Sequence, residues 1–306
     1  MNSTAERRWP PPLAAGDTIG ICAPAGPVRD RQAAEAGLRL LRQAGFQLRL
    51  QPGLLDRHRG YLAGDDQQRA TELHDLWRDP TVKALLALRG GYGCLRLLEL
   101  LDWELMATYD KLLIGFSDLT VLHAALNRRC RLISLHGPMI TTLAGAETAT
   151  LEHFFATLTG KRALDGSRLR IRRPAELEIL RPGRATGPLA GGNLTCLSHL
   201  LGTGWEPELD GAILLLEDIG EAAYRLDRAL TQLALSGRLA GVAAVILGEF
   251  SDCRQVEEIW QRVLELTGDH VPVWANFPAG HGRRNLALPL GATIELDSRR
   301  QELRCC

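Results

Sequence analysis

Leu113 to His123, LIGFSDLTVLH, passes from an apolar, strand-like run through a glycine into a Ser-Asp pair and then into helical periodicity. A strand that turns directly into a helix is the unit from which parallel sheets are built. The pair at the turn has two readings. Ser117 or Asp118 can cap the helix by accepting from its free first amides. Alternatively, the serine is presented for chemistry, because ligands gather at the carboxyl ends of parallel strands. The rest of the chain has to arbitrate.

Around this stretch, the first half alternates short β-like runs with helical periodicity. TIGICAP is followed by a helical stretch from Gln32 to Ala44, then by KALLALRGG, Leu95 to Leu101, KLLIGFS, the segment after Asp118, and RLISLHGP. This order predicts a parallel sheet covered by helices on both faces. Three runs end in turn chemistry, at Ala23-Pro24, Gly90-Gly91 and Gly115 to Asp118, so these turns are expected on one rim. From Thr159 to Pro188 the pattern breaks into an Arg-, Pro- and Gly-rich stretch that reads as a linker. Its arginines at 168, 170, 172 and 173 suit a solvated strand edge. The second half offers GAILLLED, a helix from Tyr224 to Leu235, VAAVILGEF, a helix around Val256 to Leu266, and VPVWANFPAGHG. GATIELD and QELRCC close the chain as an expected hairpin.

Composition narrows the class. A chain of 306 residues with 45% hydrophobic content is long enough for two domains and buries roughly three quarters of its unfolded surface. Lys plus Arg and Asp plus Glu both number 36, so no global field favours nucleic acid or an anionic membrane. The start, MNSTAERRWPPPLAAGDTIG, lacks the apolar core of a secretory signal, which makes the cytoplasm the expected address. No apolar run reaches the roughly 20 residues a membrane helix needs. Seven cysteines lack CxxC spacing, and Cys22, Cys94, Cys130 and Cys196 lie in or beside apolar runs, where a reduced thiol acts as a small hydrophobe.

If Ser117 is a nucleophile, it needs a base, a group to orient that base, and donors for an oxyanion. His58 and His74 sit in charged surroundings, while His153, His199 and His270 have no chemistry-bearing neighbours in sequence. His123, six residues beyond the serine on one helix, points away from it. His136 in SLHGP and His281 in FPAGHGRRNLALPLG remain as competing bases, the latter freed to project by flanking glycines. Glu217 and Asp218 emerge from four apolar residues in ILLLED, a costly place for a carboxylate without a partner. Glu217 reads either as the orienting acid or as half of an ion pair with Arg225 or Arg228. Asp118 is the weaker alternative, better suited to the helix dipole.

GFSDLT, GGN, LLLEDIGEAAYRLDRAL and GHGRRNLALPLG, in this order and together with GDTIGICAPAGP and RGGYG, resemble the LD-carboxypeptidase family, the muramoyltetrapeptide carboxypeptidases. The likeness runs from Gly16 to Glu295. It implies an N-terminal α/β domain with a parallel sheet and flanking helices, a smaller β-rich C-terminal domain, and an active site between them. The expected boundaries are a flexible extension over 1–15, the nucleophile-bearing domain over 16–158, a linker over 159–188, and a domain over 189–306 carrying the acid and base. The resemblance implies a Ser-Glu-His triad, which transfers to Ser117, Glu217 and His281 and so prefers His281 to His136. The oxyanion donors would be the amides of Gly91 and Asp118.

The implied substrate is a cytoplasmic murein tetrapeptide cut before its terminal D-alanine, with no metal or organic cofactor, by a homodimer that needs neither nucleic acid nor membrane. Gly90, Arg89 and Arg225 are the candidate substrate-binding residues, the arginines because a free carboxylate must be recognised. The chain departs from the family at Ala25, where serine is frequent, and at Arg283-Arg284 after the histidine loop.

Three rivals stand beside this reading. A related branch cleaves acyl sulfamoyl-adenylates, and an adenine platform would then come from Trp205 or Trp274. An α/β-hydrolase would need glycine two residues beyond the serine, where Leu119 stands. A binding protein without chemistry would lack a triad member, and none is lacking.

Overall fold

The computed structural model describes residues 7–160, 170–174 and 176–306. The first half runs β1 (Thr18–Cys22), α1 (Arg31–Gln43), β2 (Gln47–Arg49), α2 (Asp66–Arg78), β3 (Val82–Ala87), α3 (Trp103–Thr108), β4 (Leu112–Gly115), α4 (Thr120–Arg129), β5 (Ser134–His136), α5 (Ile140–Leu143) and α6 (Thr148–Leu158). The second half runs β6 (Arg170–Arg172), β7 (Glu178–Arg181), β8 (Arg184–Asn193), α7 (Leu194–Leu200), β9 (Ile213–Ile219), α8 (Ala223–Leu235), β10 (Ala244–Ser251), α9 (Val256–Leu266), β11 (Val273–Ala275), β12 (Leu288–Leu290), β13 (Thr293–Asp297) and β14 (Glu302–Cys305).

The first sheet has the order β12-β5-β4-β3-β1-β2, parallel except for β12. Its central strands read as unbroken apolar runs because helices cover both faces: β4 is buried at every residue, and β3 at all but Lys83. Side chains fix where the helices begin. Asp30 accepts from the Ala33 amide at 2.9 Å before α1, and Asp65 from the Gln68 amide at 2.7 Å before α2. The strand order reverses direction between β1 and β3, and a doubly wound sheet opens a crevice at such a point. The three turns expected on one rim meet there. The Gly26 amide donates to the Gly90 carbonyl at 3.1 Å, and Gly90 lies against Ser117.

The second sheet has the order β6-β14-β13-β8-β9-β10-β11-β7, parallel through β8, β9, β10 and β11 and antiparallel at both ends. The β13–β14 hairpin forms as expected, with Ile294 opposite Cys305. Within 159–188, the stretch expected as a linker, Arg170–Arg172 pairs with β14 and Glu178–Arg181 with β11. Ile171, Leu177 and Ile179 reach the apolar core and carry this Arg-rich segment into the sheet. Arg170 and Arg172 meet Glu302 along the edge, while Arg168 lies outside the described residues.

Residues 7–15 differ from the free extension read in the sequence. Arg8 exchanges backbone hydrogen bonds with Arg131 and Ile133, Leu13 is buried, and Arg7 pairs with Glu208 at 2.7 Å. Residues 1–6 lie outside the described set.

Two features join the halves. β12, which follows the His281 loop, leaves the second half to pair antiparallel with β5. α4 is buried from Thr120 to Leu126, because the first sheet covers one side and α7 and β8 the other. The Asn193 amide donates to Thr120 Oγ1 at 3.0 Å across that seam.

Candidate active site

Ser117 follows β4 with φ of 62°, a left-handed value that a side chain adopts only when its surroundings impose it. The capping reading of the Ser-Asp pair does not hold, because neither residue makes a side-chain cap. Asp118 instead accepts from the Cys94 amide at 2.8 Å, tying the β4 turn to the segment beyond Gly91. Burial raises its pKa against that hydrogen bond. Gly90 is required by proximity: a Cβ there would stand 2.8 Å from Ser117 Cβ and 2.9 Å from its Oγ.

Glu217 sits at the carboxyl end of β9, fully buried, and its Oε2 lies 2.7 Å from His281 Nδ1. Burial is the largest influence on the carboxyl and raises its pKa, while the hydrogen bond and charge of His281 oppose it. The balance follows from magnitudes. Taking a carboxylate out of water costs several kcal/mol, against roughly 1.5–3 kcal/mol for a hydrogen bond to a charged group. The space around Glu217 is made by glycine: a Cβ on Gly280 would meet Glu217 Cβ and Oε2, both at 3.2 Å. Gly280 has φ of 133°, so both space and conformation call for the absent side chain.

His281 is 14% exposed and packs edge-on against Phe116, with ring centroids 4.7 Å apart. The base is thus set against the neighbour of the nucleophile. Among the hydrogen bonds of the described residues none joins Ser117 to His281. His136 also packs on Phe116, with ring centroids 5.7 Å apart, and is wholly buried with neither ring nitrogen hydrogen-bonded. Burial pushes its pKa down to about 3. His281, by contrast, is partly exposed and has its Nδ1 held by Glu217. Asp218 is committed elsewhere, accepting from Asn193 Nδ2, the Thr195 amide and hydroxyl, and the Ile219 amide at 2.8–3.0 Å.

Ser117, Asp118 and Gly91 line one cavity of about 200 Å³. The Gly91 amide has no acceptor among the described residues. Arg89 is not on that wall: it donates to the Pro27 carbonyl at 2.9 Å and braces the turn after β1. Arg225 lies on an adjoining cavity and pairs with Glu221 at 3.3 Å. Neither tryptophan considered as a platform reaches the cavity. Trp205 is buried against Trp103 with its indole N–H on Glu99, and Trp274 is buried with its N–H on Ser298.

The sequence reading missed Tyr92, Thr195, His199 and Glu221, which line the cavity. Tyr92 and Glu221 lie inside the quoted RGGYG and LLLEDIGEAAYRLDRAL motifs and Thr195 two residues after GGN, so these three had a usable signal, while His199 had none. No group of three His, Cys, Asp or Glu side chains among the described residues is placed to hold a metal. No described helix is long and apolar enough to cross a membrane.

A doubly wound sheet, a β-rich partner, and a serine, imidazole and carboxylate brought to their seam define a protein of the hydrolase kind. The LD-carboxypeptidase N-terminal domain matches residues 19–137 and the LD-carboxypeptidase C-terminal domain residues 186–296, so the chain belongs to the LD-carboxypeptidase family. It is 36% identical to a murein tetrapeptide carboxypeptidase of Pseudomonas aeruginosa over 97% of each chain. It is 30% identical to the microcin C7 self-immunity protein MccF of Escherichia coli over 94% of this chain and 92% of that one. The structure of MccF with aspartyl sulfamoyl adenosine superimposes with a TM-score of 0.86 over 96% of this chain and 97% of that one, at 28% identity. A muramoyltetrapeptide carboxypeptidase of Oxalobacter formigenes gives 0.80 over 94% and 97%, at 32% identity.

Proposed function

We propose that the chain is a serine-type LD-carboxypeptidase that removes the terminal D-alanine from cytoplasmic murein tetrapeptides during cell-wall recycling. The observation that carries this reading is the 2.7 Å bond between Glu217 and His281 Nδ1, placed against the residue preceding Ser117. With Nδ1 held by the carboxylate, Nε2 is the nitrogen left to take a proton. Ser117 Oγ attacks the carbonyl of the penultimate residue as His281 accepts its proton. The amides of Gly91 and Asp118 receive the developing oxyanion. The C–N bond then breaks, D-alanine leaves with the proton from the imidazolium, and water hydrolyses the acyl-enzyme by the same route. In this reading the Ser117–His281 hydrogen bond forms in the substrate complex.

The 16–158 and 189–306 domains act together in this reading, the first supplying Ser117 and the second Glu217 and His281. A homodimer is part of the same proposal. The likeness to MccF supports a second reading, cleavage of acyl sulfamoyl-adenylates. One experiment separates them: murein tetrapeptide and a synthetic aminoacyl sulfamoyl-adenylate are each incubated with the full chain, and the products are identified by mass. The proposal expects D-alanine release from the tetrapeptide, lost by about a thousandfold or more in Ser117→Ala with unchanged circular dichroism. Parent-like activity of Ser117→Ala, or turnover of the adenylate alone, would reject it.

A further inference from the structure

Arg69, on α2, is a cation wholly shielded from solvent. A buried guanidinium is costly unless its donors are matched, so its partners are informative. Its Nη1 donates to the Pro24 carbonyl and, at 3.0 Å, to the Gly93 carbonyl, while Nη2 meets Asp66. Asp66 is held in turn by Arg96 at 2.7 Å. One planar fork thus joins the turn after β1 to the turn after β3, and an ion pair nearer the surface anchors it.

These two turns build the rim beside Ser117. Pro24 stands two residues before Gly26, and Gly93 two residues after Gly91. Between the turns the Gly26 amide donates to the Gly90 carbonyl at 3.1 Å. That carbonyl shares a peptide plane with the Gly91 amide, and in a trans peptide the two point opposite ways. Holding the Gly90 oxygen on Gly26 therefore fixes where the Gly91 N–H is aimed. The approach is close: a Cβ on Gly91 would stand 3.2 Å from Gly26 Cα, and one on Gly93 2.7 Å from Arg69 Nη1. Gly91 and Gly93 have φ of 119° and 136°, so this permissive segment keeps its course through its anchors rather than through intrinsic preference. Beyond Gly93, Asp118 holds the Cys94 amide at 2.8 Å.

We propose that Arg69 is the positioning residue of the oxyanion hole. By clamping the Pro24 and Gly93 carbonyls it sets the spacing of the two turns, and through the Gly26–Gly90 hydrogen bond it sets the direction of the Gly91 amide. Arg69 itself touches no reacting atom. Its influence falls on the transition state, because the amide binds the carbonyl oxygen most strongly once charge develops there. This inference rests on the reading of Ser117 as nucleophile and of the Gly91 amide as oxyanion donor in a murein tetrapeptide carboxypeptidase.

The test measures kcat and KM for D-alanine release from murein tetrapeptide, together with inhibition by the matching tripeptide aldehyde. The aldehyde carbon adds Ser117 Oγ and places its oxygen in the same hole. Arg69→Met is expected to lower kcat by about tenfold to a hundredfold, with KM within about twofold of the parent. The aldehyde loses affinity by the same factor as kcat. Arg69→Lys, which keeps a cation beside the carbonyls and loses the fork to Asp66, recovers part of both. An arginine with a merely structural role would not make the two losses track one another. Asp66→Asn, at a side chain 27% exposed, supplies the same comparison where Arg69→Met does not fold, with both losses about threefold, the worth of a partly exposed ion pair. Parent-like kcat in the folded variant, or a fall in kcat with aldehyde affinity unchanged, overturns this inference alone. A parent chain that releases no D-alanine takes down the carboxypeptidase reading and this inference with it.

Discussion

At position 117 a serine is held at a φ of 62°, and at 217 a carboxylate is held wholly out of water. Both arrangements cost free energy that a protein built only for stability would avoid. Burial keeps the Glu217 pKa above the ordinary carboxylate range, so the native state binds its proton more tightly than the unfolded chain does. Stability is therefore lost as pH rises from the unfolded value through the folded one, and the full cost remains above it. Glu217→Gln removes the charge and keeps a hydrogen-bonding side chain. Its melting temperature relative to the parent should rise as the pH climbs above about 4.3, the ordinary glutamate value, while kcat falls by roughly a hundredfold or more. A variant whose relative stability falls over that range would show that the ion pair outweighs desolvation.

At the scale of elements, the site is made by turns rather than by the strands and helices they join. The turn after β3 has to pass so close to Ser117 that no side chain fits at position 90. Gly90→Ala is expected to displace the β3 turn or the serine, lowering kcat/KM by about a hundredfold while secondary structure stays intact. Full activity in that variant would mean that the two turns do not need to touch. These turns are legible in the amino-acid order, because Ala23-Pro24, Gly90-Gly91 and Ser117-Asp118 each end an apolar run. The setting of Trp205 and Trp274 is not: an aromatic side chain looks the same in sequence whether it lines a cleft or, as here, is buried with its indole N–H satisfied.

At the scale of the whole molecule, the two sheets are interlocked rather than merely adjacent. β12 is placed in the first sheet by a chain that has just left the second, and the His281 loop spans the interval. α4 is buried by both halves. A chain of this size with two sheets would ordinarily be free to unfold in stages. The interlock predicts one transition, with calorimetry, far-ultraviolet circular dichroism and loss of activity coinciding. Two resolved transitions, with activity lost in the first, would mean that the halves hold their folds independently.

Apolar period, glycine placement and motif spacing are local or linear properties of the chain. They suffice for the alternation of strand and helix, for the turns on one rim and, through the order of the motifs, for the family and the three candidate residues. Which imidazole is partly exposed on Glu217 and which is wholly buried is settled by packing. Packing also sets Glu221 on the wall of the serine's cavity and Arg225 on the adjoining one, ties residues 7–15 down, and commits Arg89 to a loop. The reason is physical: burial and proximity depend on what the other half of the chain packs against a residue, and β12 and α4 bring that other half from far along the sequence.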